Sequence, residues 1–106
     1  MAMEIVRWTT PTITFKLPFQ TDTVSNLEIY FGQPKLMFTK TEEDCVLDGD
    51  LIAVTLTEEE TLMLDDKLLL KMQLRFVFTN GRKGASKPIY CDVIEIMKDG
   101  EDDVSD

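Results

Sequence analysis

The chain has 106 residues, with 20 acidic against 11 basic, no histidine and two cysteines. That length fits one domain that buries about two-thirds of its surface on folding, enough for a core without disulfide staples. A net charge of −9 argues against binding nucleic acid or anionic lipid through phosphate contacts, and the missing histidine removes the commonest general base and zinc ligand together.

The opening Met1-Ala2-Met3-Glu4 has no basic region followed by a long apolar stretch, so no secretory signal is expected. A first strand is expected over residues 3–8. Over residues 12–17, Ile13, Phe15 and Leu17 fall on one face and Thr12, Thr14 and Lys16 on the other. That period of two is the mark of a strand with one wet side. Residues 26–31 repeat it with Leu27, Ile29 and Phe31 inward. Shorter strands are expected over 35–40, 45–47 and 51–57, the last two joined by Asp48-Gly49-Asp50, a tight-hairpin signal. The apolar run inside 51–57, Leu51-Ile52-Ala53-Val54, is far below the ~20 residues that span a bilayer.

Residues 57–64 break the period. Thr57 stands three residues before Glu60, the spacing of a capping box, and three glutamates occupy the first turn. A short helical turn is expected there, pinned by Leu62 or Leu64 on the core. Residues 70–79 then alternate most regularly of all, with Leu70, Met72, Leu74, Phe76 and Phe78 inward, and are the candidate central strand. Asn80-Gly81 ends that strand, and a loop through Arg82, Lys83, Gly84 and Ser86 leads to Pro88. A last strand over 89–97 has Cys91 and Val93 on one face but Ile94 and Ile96 on the other, which predicts a bulge near Val93–Ile94. Residues 98–106 carry five acidic residues and one basic, a composition expected to be disordered. The remainder holds 15 acidic against 10 basic residues, so much of the excess charge belongs to the tail.

The expected fold is an antiparallel, immunoglobulin-like β-sandwich of seven or eight strands over residues 1–97. A small barrel is the alternative.

Little here points to catalysis. A nucleophilic triad lacks its base, and the five glycines stand singly, so no phosphate-binding loop forms. The reading is a non-enzyme without cofactor. Cys45 and Cys91 read as two reduced thiols rather than a disulfide framework. Asp44, Asp48 and Asp50 flank two turns and are weak calcium candidates, outweighed by an ordinary Asp-Gly turn among solvated acids. Trp8 and Tyr30 occupy the polar phases of their strands, as anchors for a protein interface or a sugar-stacking surface. Arg82, Lys83 and Lys87 form a basic loop on an acidic protein, suited to an acidic partner or to solubility. Sandwich edges offer unpaired backbone to a partner strand.

Arg7-Trp8-Thr9-Thr10-Pro11-Thr12-Ile13-Thr14-Phe15-Lys16-Leu17 resembles the R-x-T-T-P-T-I-x-F-x-L opening of short phage and prophage proteins of Gram-positive bacteria. The likeness extends to L-T-x-E-E-T-L at residues 56–62 and E-I-x-K-D-G at 95–100. That pattern has a small residue where this chain has Trp8. The opening also resembles the N-terminal strand of phage baseplate upper proteins. The resemblance implies a β-sandwich in a virion or tail-assembly context; the reduced thiols point to synthesis in the bacterial cytoplasm, which is compatible with later assembly into a phage particle. The resemblance carries no catalytic residues. The expected function is therefore non-catalytic assembly through protein contacts or self-association. The alternatives are a carbohydrate-binding module, with or without calcium, and an acidic inhibitor that imitates DNA.

Overall fold

The computed structural model describes residues 3–97. Among these residues nine strands form: β1 (Met3–Val6), β2 (Thr12–Lys16), β3 (Val24–Gln33), β4 (Leu36–Thr41), β5 (Cys45–Asp48), β6 (Leu51–Thr55), β7 (Leu70–Phe78), β8 (Lys83–Ala85) and β9 (Ile89–Ile94). They make two sheets. The larger runs β1-β9-β7-β3-β4, with β8 also paired to β7, and the smaller runs β2-β6-β5. Neither sheet closes into a barrel. The orders β2-β6-β5 and β9-β7-β3-β4 are those of an immunoglobulin-type sandwich. As its regular alternation predicts, β7 lies mid-sheet, with β3 on one side and β8 and β9 on the other.

The alternating apolar residues of both sheets meet in one core. Ile13, Phe15, Ile52 and Val54 of the smaller sheet face Leu27, Ile29, Phe31, Leu70, Met72 and Leu74 of the larger, all buried. Burying each such side chain is worth about 1.5–3 kcal/mol. The turns use the residues their geometry needs: Gly49 and Gly81 take left-handed φ values of 61° and 87°.

The helical turn is α1 (Glu58–Leu62). The Glu60 N–H donates to Thr57 Oγ1 at 3.1 Å, and the Thr57 N–H donates to Glu60 Oε1 at 2.8 Å. Five residues are too few to hold a helix alone. Buried Leu64 anchors it, as does buried Thr61, whose hydroxyl donates to the Thr9 carbonyl at 2.9 Å. Glu60 Oε2 lies 2.8 Å from Nζ of Lys40, a lysine on the inward phase of β4. One carboxylate thus caps α1 and neutralises a nearly buried ammonium.

Four expectations need correction. Pairing is not antiparallel throughout, because β1 returns beside the last strand and runs parallel to β9, Met3 against Cys91 through Val6 against Ile94. β1 stops at Val6, so Trp8 lies in the following turn with φ 75°, a left-handed conformation that favours glycine. The 82–88 loop contains the short strand β8. Finally, β9 stays in register with β1 through Ile94, which simply points outward; the irregularity sits in β3, between Val24 and Asn26. The tail expectation, on residues 98–106, lies outside the described residues.

Candidate interface on the outer face of the larger sheet

An antiparallel sheet with one wet face is expected to be polar outside. The outer face of the larger sheet departs from that. Register places Met37 of β4, Gly32 of β3, Lys71 of β7 and Tyr90 of β9 in one row across four strands. Met37 is 69% exposed, Tyr90 54%, and Leu69, one residue before β7, 55%. Farther along β9 and β1, the paired residues Ile94 and Val6 are also exposed on this face.

Gly32 leaves a trough in the middle of the row. One half, about 300 Å³, lies between Tyr30, Met37, Lys71, Gln73 and Arg75. The other, about 360 Å³, lies between Pro34, Met37, Leu69 and Lys71. The side chains around it are fixed from several directions. The Arg75 guanidinium sits 5.5 Å from the centre of the Tyr30 ring and donates to the Tyr30 hydroxyl at 3.2 Å. That hydroxyl donates to Glu28 Oε1 at 2.8 Å. The Gln73 amide nitrogen donates to the Ser86 carbonyl at 2.8 Å. Tyr30 is therefore half-buried and occupied by its neighbours rather than presented as a bare ring. The trough combines apolar walls with the cations Lys71 and Arg75, which suits an apolar partner surface with acidic residues around it.

The other residues singled out from sequence are spread over the molecule. Trp8 is exposed in its turn beyond β1. Lys83 lines a cleft of about 350 Å³ with Asn26, Glu28, Glu42 and Arg75 and the apolar Leu27, Phe76 and Val77. Arg82 and Lys87 are exposed on either side of β8. Asp44 ends the turn just before β5 and Asp48 is the last residue of that strand, so the two are four residues and about 13 Å apart. The Asp44 carboxylate is already used, accepting from the Thr41 N–H at 2.9 Å, and Asp50 lies 4.0 Å from Lys16 Nζ. Among the described residues no group of three or more Cys, Asp or Glu is placed to hold a metal ion.

The cysteines sit in different sheets. The Cys45 thiol donates to the Thr41 carbonyl at the end of β4, whereas Cys91 is buried on β9. Three strand spacings separate β4 from β9, about 14 Å, too far for a disulfide. Burial pushes both thiols up to about 11, helped by Asp44 beside Cys45 and Asp92 beside Cys91. Neither has the activated character of a nucleophile.

Sequence reading missed Gly32, Met37, Leu69 and Tyr90. A signal was there for two of them: Gly32 interrupts a strand pattern singly, and Met37 stands on the outward phase of its strand. No protein family, curated protein or solved structure matches the chain. No helix among the described residues is long and apolar enough to cross a membrane.

Proposed function

We propose that the chain is a non-catalytic assembly domain that docks the outer face of its larger sheet against another protein. The context, a phage or prophage particle, is the one implied by its sequence resemblance. The observation that carries the reading is Gly32. A glycine inside a strand weakens it, and such glycines mark a bulge, a sharp bend or a place where another molecule approaches closely. β3 keeps unbroken register through Gly32 with both β4 and β7, so there is no bulge. Its φ is not left-handed either, so the backbone does not demand glycine. Close approach remains, and the trough opens among the exposed apolar side chains that an interface would cover.

The face has a suitable size. Five strands about 4.8 Å apart give a width of about 24 Å, the scale of one side of a standard interface of about 800 Å². The test is association of the purified protein with itself and with the products of neighbouring genes, for wild type, Gly32→Val and Met37→Glu. Wild type is expected to associate. Filling the trough, or placing a carboxylate in it, is expected to weaken that association about tenfold or more. A strictly monomeric protein that binds none of these products refutes the proposal.

A further inference from the structure

We propose that the open edge of the smaller sheet, at β2, is a strand-addition site for an extended, acidic segment of a partner protein. This goes beyond the docking face, which lies on the other sheet.

The backbone supplies the first argument. β2 ends the order β2-β6-β5. The Leu56 N–H donates to the Pro11 carbonyl at 3.0 Å, and the Leu17 N–H donates to the Asp50 carbonyl at 2.8 Å. In an antiparallel ladder, hydrogen-bonded positions alternate, so the odd-numbered residues 11–17 pair with β6. The N–H and C=O groups of Thr12, Thr14 and Lys16 then point away from the sheet. In the constant-type immunoglobulin sandwich the first strand lies in the sheet that contains this edge. Here β1 is paired instead to β9 through Met3–Val6.

The second argument is the cleft beside the edge. It holds about 380 Å³ and is lined mainly by Phe15, Leu17, Phe19, Leu74, Phe76 and Ile89. It stays open because the strand opposite is interrupted between β8 and β9. At that break the Ser86 N–H donates to the Leu74 carbonyl at 2.8 Å, and the Leu74 N–H donates to Ser86 Oγ at 3.0 Å. Phe19 packs edge-on against Phe76 and Phe78, with ring centres 5.2 and 5.0 Å apart. A strand added to β2 would send alternate side chains into this cleft, the division of labour by which added strands gain affinity from backbone and specificity from pockets.

The third argument is charge. Among the described residues Lys16 is the one charged residue lining the cleft; its ammonium is largely exposed and lies 4.0 Å from Asp50, a separation long enough to leave it open to a second carboxylate. Lys87 lies in the segment between Ser86 and Ile89 that forms the opposite wall. Two lysines at an apolar cleft of an otherwise acidic chain select a strand that carries carboxylates. Pro11 and Pro18 bracket the edge, which limits the added strand to about five residues.

The probe is a capped seven-residue peptide alternating glutamate with valine and leucine, beside the same peptide with lysine for glutamate. Amide exchange by NMR reads the site. The glutamate peptide is expected to protect the Thr12, Thr14 and Lys16 amides and to bind about tenfold more tightly than the lysine peptide. The double variant Lys16→Glu/Lys87→Glu, at two exposed positions, is expected to reverse that preference. Gly32→Val is expected to bind like wild type, which separates this site from the docking face. Absence of protection at β2, protection at β4 or β5 instead, equal binding of the two peptides, or an unchanged preference in the double variant would each overturn the proposal.

Discussion

Replacing Gly32 by alanine tests whether the trough is there for docking or for folding. A Cβ built on Gly32 would meet the Leu36 carbonyl oxygen at 3.7 Å and the Met37 Cε at 3.8 Å, both ordinary contacts. Its φ is not one that side chains avoid. The substitution therefore removes the entropic cost of a strand glycine, about 0.5–1 kcal/mol, with no steric penalty against it. Gly32→Ala is expected to be more stable than wild type by that amount, with a melting temperature roughly 2–8 °C higher. Urea unfolding checks the free energy, and an unchanged m-value would show that the same surface is exposed. A loss of more than about 0.5 kcal/mol would refute the reasoning, because glycine would then be a structural requirement of β3.

Two further outcomes follow from single hydrogen bonds. Ser86→Ala strands the N–H of buried Leu74, and is expected to cost about 1–3 kcal/mol in equilibrium unfolding, with faster exchange of the Leu74 amide, while Ser86→Thr restores both. Glu42 accepts from the Leu27 N–H at 3.0 Å, and this bond, with one from its own backbone N–H, holds its carboxyl below the ordinary value of 4.5 against a small opposing effect of burial. A carboxyl depressed in the folded state contributes stability above its unfolded pKa and loses it as pH falls through the folded value. Glu42→Gln is therefore expected to flatten the loss of stability below about pH 4.5 in acid titrations.

Much of the sandwich was legible because alternation leaves a simple trace. Ile13-Thr14-Phe15 and the long run from Leu70 to Phe78 announce their inward faces residue by residue. The Thr57–Glu60 box worked for a similar reason, since a cap is a local event at fixed spacing. What failed was non-local or lacked an apolar signature. β8 has no large inward side chain, because Gly84 lies against the Phe78 ring with only 3.1 Å for a Cβ. The parallel pairing of β1 with β9 joins opposite ends of the described chain, which no local period encodes. Outward Ile94 mimicked a phase change that a bulge would explain. The candidate interface was harder still. Its row is assembled from Met37, Gly32, Lys71 and Tyr90, four residues on four strands, and only the register brings them together. The sequence clues were single aromatic and basic residues, and these proved to be dispersed or, as with Tyr30, engaged by neighbours.

The most direct test of the central claim is the dissociation constant of wild type, Gly32→Ala and Gly32→Val for the partner that wild type binds, measured beside their unfolding free energies. The account predicts opposite trends: as the trough fills, association weakens, about tenfold or more for valine, while the fold becomes no less stable. Undiminished association of a stably folded Gly32→Val protein would contradict it.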